Sequence, residues 1–350
     1  MKEKPKALRR ILNFFIFLVT FLLAACALIL GGAAYFNSPP APSTENDDAV
    51  SNEIIFEVKN GETAWSVGKR LEDAGAIRNK YFWYLLSRQG KNYIKTGTYR
   101  IELPESQINI RSQLITGEQI LVKVTIPEGA TLKKISIILE EEGICQAENF
   151  LAAASSREML NNFNVPGSSM EGYLFPDTYL FNKNYPASLV VSAMADNFFK
   201  KIGIIAPDAL NYGELNDRVI IASIVEREYR VPEEAPLMAG VFYNRLKIGM
   251  GLQSCATVEY VITEIQGLPH PDILYNRDLE IKSPYNTYLR PGLPPGPISA
   301  PGETSLRAAF YPAETNYLYF RLMDPGEGKH YFSSTFDDHI RAGALYLKGN

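Results

Sequence analysis

From Ile11 to Phe36 the chain carries no charged residue, and among its apolar and small residues only Asn13 and Thr20 interrupt the run. As a helix, about 25 residues cover roughly 37 Å, enough to cross a hydrocarbon core of about 30 Å. A signal-peptide core is shorter, about 7–15 residues. The run has no polar face, so it does not read as the buried helix of a soluble domain. The expectation is an uncleaved transmembrane helix over residues 11–36. Leu23-Ala24-Ala25-Cys26 has the order of a lipobox, but the apolar run continues to Phe36, where a lipidated N-terminus would turn polar. Cys26 is therefore expected inside the membrane.

The flanks orient the span. Lys2, Lys4, Lys6, Arg9 and Arg10 precede it against the single anion Glu3. The positive-inside bias makes residues 1–10 a cytoplasmic tail. After it, residues 37–52 hold Pro39, Pro40, Pro42 and Ser43, then Glu45, Asp47 and Asp48, and read as a Pro/Ser-rich tether. In a bacterium this is a single-pass inner-membrane protein with its body in the periplasm. The whole chain has a net charge of −4; without the +4 of the tail the rest stands at −8. An acidic body excludes a nucleic-acid partner, which needs a basic face. A hydrophobic fraction of 46% excludes disorder over most of the length.

Chemistry based on metals or thiols has little support. His270, His330 and His339 show no HxxxH spacing and no CxxC is present, so neither a metal nor a cofactor is expected. The cysteines are Cys26, Cys145 and Cys255; a Cys145–Cys255 disulfide is an open option in an oxidising compartment.

The body begins with a duplication at an offset of 68 residues. Phe56 to Thr63 aligns with Val124 to Thr131, Leu71-Glu72 with Leu139-Glu140, Gly75 with Gly143, and Phe82 with Phe150. Each copy reads as a strand, a Gly turn, a Thr N-cap and an amphipathic helix ending at Gly, then a second short helix. The first copy closes on the alternating strand Thr96–Glu102; the second is expected to close on Glu171–Phe175. The predicted class is α+β, with βααβ modules over 53–120 and 121–182 and a further domain over 183–350. The βααβ unit resembles the LysM module, a binder of N-acetylglucosamine-containing glycans, through Gly61 to Val67 and the later Gly97-Thr98-Tyr99. A purely structural unit remains the alternative, and Trp65 is read as core rather than as a sugar platform.

In the last domain, Asp217–Tyr229 reads as a helix that is apolar from Val219 to Val225. Glu226 follows a buried stretch, with small residues Ala222 and Ser223 one turn back, which suggests room beside it. Glu228 lies about 200° further round, so the two carboxylates cannot share a face. A carboxyl against apolar walls keeps its proton near neutral pH, as a general acid must. The other reading is a buried Glu226 paired with Arg245. Hydrolytic glycosidases use two carboxylates, and Glu171 or Glu228 are candidates for a second. A lytic transglycosylase manages with one, because the substrate's own C6 hydroxyl attacks.

Ser223-Ile224-Val225-Glu226-Arg227-Glu228 resembles the signature of the MltG (YceG-like) endolytic murein transglycosylase family. The resemblance extends to Val241–Leu246, Met250–Ser254, Ser283–Tyr288 and Gly292–Ile298, and upstream to Glu171–Tyr179. It implies a lyase that cuts nascent peptidoglycan strands between N-acetylmuramic acid and N-acetylglucosamine, leaving 1,6-anhydro ends and ending strand growth, with peptidoglycan synthases as partners. It puts the acid/base role on Glu226, with Gln253, Asn286, Tyr288 and Tyr243 lining the substrate cleft. Two departures stand out: Cys255-Ala256 replaces the family's Asp-Pro, and Ala300 replaces an Asn. The competing reading is a non-catalytic peptidoglycan-binding scaffold.

Overall fold

A computed structural model describes residues 6–40, 53–59, 61–88, 93–117, 119–208, 214–324 and 326–348. The chain forms two compact units, Met1–Leu121 and Val122–Asn350, each mixed α/β. Tail residues 1–5 and tether residues 41–52 lie outside the described residues.

The first unit contains α1 (Lys6–Asn37), β1 (Glu53–Val58), α2 (Ala64–Asp73), α3 (Lys80–Ser87), β2 (Gly97–Glu102) and α4 (Gln107–Thr116). Helix α1 runs unbroken through the Cys26 region, and the stretch Arg10–Asn37 is long and apolar enough to cross a membrane, with none of its apolar window buried. The visible start of the tether differs from expectation. Residues 37–40 are fastened to the α2–α3 connection and to α4 rather than hanging free. Arg78 donates to the carbonyls of Ser38 and Pro39 (3.5 and 2.5 Å). Gln107 Nε2 donates to the Phe36 carbonyl (2.8 Å), and the Asn37 side chain accepts from the Ile108 amide (3.0 Å). Charge-assisted bonds from Arg78 to carbonyls just past α1, and neutral bonds from α4 to groups in the last turn of α1 that the helix leaves unpaired, explain the docking.

Strands β1 and β2 pair antiparallel from Glu53↔Glu102 to Val58↔Gly97. Their inner side chains Phe56, Val58, Tyr99 and Ile101 pack with Val67 and Leu71 of α2. Trp65, expected in the core, is 38% exposed and edged by Tyr81 and Tyr84, and Trp83 is the fully buried tryptophan. Gly68 explains this, since a Cβ there would meet the Trp83 ring at 2.3 Å. The space beneath α2 is thus shaped for the indole of α3, and Trp65, near the start of α2, stays outside.

The second unit contains β3 (Val122–Thr125), α5 (Leu132–Glu141), α6 (Ala147–Ala154), α7 (Arg157–Phe163), β4 (Thr178–Phe181), α8 (Ala187–Ile205), α9 (Leu215–Glu228), α10 (Ala235–Lys247), α11 (Cys255–Tyr260), α12 (Glu303–Phe310), β5 (Tyr319–Asp324), β6 (Lys329–Ser333) and α13 (Phe336–Lys348). The duplication is visible in its details. Thr63 and Thr131 each cap their helix by accepting an amide three residues on, from Ser66 and Lys134. Gly75 and Gly143 both sit at φ +69°, a left-handed position that stops the helix at little cost only for glycine. The closing strand of the second copy is not Glu171–Phe175. That segment is a buried turn, with Gly172 at φ +80° packed against Pro297. The strand pairing with β3 is β4, further along, in register Val122↔Phe181 to Thr125↔Thr178. One continuous core joins α5, α6 and α8 to α9, α10 and α12, so the expected boundary at 182/183 falls inside one unit. Cys145 and Cys255 are both free thiols, which leaves the disulfide option unused.

Candidate active site

Helix α9 carries the chemistry because of how it ends. Val219 to Val225 are all buried, so the helix passes through the core and its last turn emerges on the far side. There the 200° between Glu226 and Glu228 sends the two carboxylates to different surroundings.

Glu226 turns toward α12. Its Oε2 accepts the Gly302 amide at 2.8 Å and the Ser305 hydroxyl. This is an N-terminal cap placed on α12 from outside, with a carboxylate at the positive end of the helix. The space expected beside Ala222 and Ser223 is filled, and Glu226 instead borders a separate cleft of about 810 Å³ with Glu128, Lys133 and His270. Ser223 Oγ donates to the Ile220 carbonyl and accepts from the Ile298 amide, and Ser299 Oγ donates to the Ser223 carbonyl. The irregular segment 298–302 thus lies directly on α9. Burial raises the Glu226 pKa, the Ser305 and Gly302 bonds oppose this, and nearby Glu128 raises it further. Glu226 does not pair with Arg245.

Glu228 turns into a cleft of about 450 Å³ lined also by Gln253, Cys255, Tyr288, Arg245 and His330. Its Oε1 accepts the Ser254 hydroxyl at 2.5 Å. Burial pushes its pKa up, Ser254 lowers it, and Glu259 pushes it up again. The cleft is assembled by two loops tied together at Thr287. Its Oγ1 accepts from the Ser254 amide (3.1 Å) and bonds Thr257 Oγ1 (2.9 Å), while its carbonyl accepts the Gln253 amide (3.2 Å). This tie brings Gln253 and Tyr288, 35 positions apart, to one wall. Gln253 is held at φ +49°, a conformation that non-glycine residues adopt at some cost and that concentrates at functional sites. Cys255 Sγ lies 3.1 Å from the Tyr288 hydroxyl.

Behind this wall, Arg245 donates to the carbonyls of Leu318 and Leu252, both at 2.6 Å, and burial lowers its pKa. It fastens α10 to the approach to β5 and to the 252–257 loop. His330 is fixed by Glu234, which accepts its backbone amide (3.0 Å) and contacts its Nδ1 (2.7 Å).

The other residues expected in the cleft lie elsewhere. Asn286 is fully buried; its Nδ2 donates to the carbonyls of Leu279 and Ile281 and its Oδ1 accepts the Tyr288 amide, so it shapes the turn that presents Tyr288. Tyr243 donates to the Ala309 carbonyl (2.9 Å) and stacks under the Arg218 guanidinium. It locks α10 onto α12, away from Glu228. Glu171, the other candidate second carboxylate, is 7% exposed and accepts the Leu132 amide with both oxygens (3.2 Å) at the start of α5. Burial is the main cause of its rise to about 8. It does not line the Glu228 cleft. Sequence reasoning did not single out His330, Glu234 or Ser254. Ser254 stood within a matched motif; no signal separates His330 from the other histidines until the hairpin folds.

The profile of the YceG-like family matches residues 56–344, and the chain belongs to that family. Among its relatives is the endolytic murein transglycosylase of Bacillus subtilis (strain 168), 29% identical, with the match covering 91% of each chain. The endolytic murein transglycosylase of Streptococcus pneumoniae (strain ATCC BAA-255 / R6) is 28% identical over 95% of this chain; the chain spans 65% of that longer protein. The crystal structure of a YceG-like protein from Listeria monocytogenes superposes with a TM-score of 0.57 at 30% identity, covering 83% of this chain and 98% of that one.

Proposed function

We propose that this chain is a membrane-anchored endolytic lytic transglycosylase that cuts peptidoglycan strands between N-acetylmuramic acid and N-acetylglucosamine, with Glu228 rather than Glu226 as its acid/base. The observation that carries the reading is the grouping of Glu228 with Gln253 and Tyr288 in one cleft, while Glu226 is committed to capping α12.

In this reading Glu228 is protonated when the strand binds, because burial disfavours its charge. It gives its proton to the glycosidic oxygen as the bond to C1 of N-acetylmuramic acid breaks. The resulting carboxylate takes the proton of the C6 hydroxyl of the same sugar, whose oxygen bonds C1. The anhydro ring closes, no water is consumed, and Glu228 regains its proton. Gln253 and Tyr288 hold sugar hydroxyl or acetamido groups, and Ser254 orients the carboxyl. Helix α1 anchors the enzyme with its N-terminus in the cytoplasm and its body in the periplasm, where its strands and the synthases that make them lie.

The test is the mass of the ends. Purified protein should yield muropeptides whose new ends lack one water relative to hydrolysis products, and Glu228→Gln should yield none. Reducing ends of hydrolysed mass would overturn the reading.

A further inference from the structure

The body of the chain is acidic, yet the wall of the Glu228 cleft carries Arg227, Arg230, Arg245 and Arg321, with Glu228 its only carboxylate among the described residues. Two of these cations are occupied. Arg227 pairs with Glu259 at 3.1 Å, and Arg245 donates to two carbonyls. The side chains of Arg230 and Arg321 make neither an ion pair nor a hydrogen bond among the described residues, and both residues are exposed. They are nevertheless held in place. The Arg321 guanidinium lies on α13 at Gly343, where a Cβ would come within 1.6 Å of its Nη1 and 2.5 Å of its Cζ. A glycine inside a helix is destabilising relative to alanine, and this one makes room for the guanidinium. The stem of Arg230 packs on the β5–β6 turn at Gly328, where a Cβ would lie 2.9 Å from Arg230 Cβ. Between these elements His339 presents a buried Nδ1 that has no hydrogen-bond partner among the described residues. Burial, then the charges of Arg321 and Arg245, keep that ring neutral.

We propose that Arg230 and Arg321, with His339 between their supports, form a subsite for an anionic substituent of the glycan strand, a carboxylate or a phosphate. Guanidinium groups fixed on a scaffold bind both by paired, charge-assisted hydrogen bonds. The inference rests on the transglycosylase reading and names the substrate class: strands that carry charge, not neutral ones. Two sources share this chemistry, the stem-peptide carboxylates along a strand and the pyrophosphate joining a nascent strand to its lipid carrier.

The test uses full-length protein in detergent, as wild type, Arg230→Gln, Arg321→Gln, the double variant and Arg321→Lys. Each is assayed on peptide-bearing strands, on the same strands with carboxylates converted to methylamides, and on lipid-linked strands before and after release of the pyrophosphate. For stem carboxylates, wild-type KM should rise about tenfold on amidation, and the double variant should lose that difference while its kcat stays within about twofold. Arg321→Lys should retain part of it. If pyrophosphate is the anion, the same gap separates lipid-linked from released strands instead. Equal wild-type KM within both pairs, carboxylate against methylamide and lipid-linked against released, or an equal rise on all strands in the double variant, overturns the subsite. The underlying reading fails separately, if Glu228→Gln keeps turnover. Binding of strands to full-length Glu228→Gln then still judges the subsite by the same charge dependence.

Discussion

Glu171→Gln separates a structural carboxylate from the chemistry and gives the second unit a measurable pH signature. Glu171 lies at the start of α5, accepts the Leu132 amide with both oxygens and faces Tyr260 Oη at 3.5 Å. Burial raises its pKa from 4.5 to about 8. A carboxyl raised in the fold favours the native state while it is protonated. That stability is present at low pH and is lost as pH rises from about 4.5 to about 8, because the unfolded chain releases the proton first. At about 1.4 kcal/mol per pH unit, the loss between pH 5 and pH 8 is on the order of 3 kcal/mol. Glutamine keeps an oxygen for the Leu132 amide and cannot ionise. The variant should therefore match wild type near pH 5 and exceed it by that order near pH 8. Both tryptophans, Trp65 and Trp83, lie in the first unit, so fluorescence cannot report this. Hydrogen exchange of the Leu132 amide and its neighbours in α5, in full-length protein, can. A stability difference between variant and wild type that stays constant from pH 5 to pH 8 refutes the reasoning.

Other outcomes follow from the same geometry. Ser223→Leu should destabilise the second unit by about 2–4 kcal/mol, since it overpacks a fully buried site and removes the bond to the Ile298 amide; thermal unfolding measures this. Gly172→Ala should cost a similar amount, because its Cβ would meet Pro297 at 2.3 Å on a left-handed backbone; denaturant midpoints check it. Arg78→Ala should release residues 38–40 from the α2–α3 connection and raise their protease cleavage, with little effect on turnover. Acrylamide should quench Trp65 and spare Trp83, as the difference between wild type and Trp65→Phe will show.

What was legible in the sequence was the local signal repeated or uninterrupted in it. The charge-free run of α1, the caps Thr63 and Thr131 and the helix stops Gly75 and Gly143 each depend on a few neighbouring residues. The closing strand of the second copy was misread because Tyr173-Leu174-Phe175 is apolar enough for a strand. It is buried by packing under Pro297 and α8, which no local pattern encodes. The 200° between Glu226 and Glu228 was readable, but not what surrounds each of them. With every residue from Val219 to Val225 buried, the helix has no outer face to orient it. Ile298 and Ser299, about 75 residues away, fill the space beside Ser223, and the Thr287 tie shapes the wall that faces Glu228. Asn286 and Tyr243 sit in matching motifs for structural reasons, one shaping a turn and the other joining two helices.

The central claim is that Glu228, and not its neighbour two positions earlier, moves the proton. Turnover of purified Glu226→Gln and Glu228→Gln on nascent peptidoglycan, with folding of both checked by circular dichroism, tests it directly. Glu228→Gln should lose at least about 10²–10⁴-fold, while Glu226→Gln should keep turnover within about tenfold and lose about 1 kcal/mol of stability from the weakened α12 cap. Near-normal turnover in Glu228→Gln, with activity abolished in a folded Glu226→Gln, would contradict the assignment and return the acid/base role to Glu226.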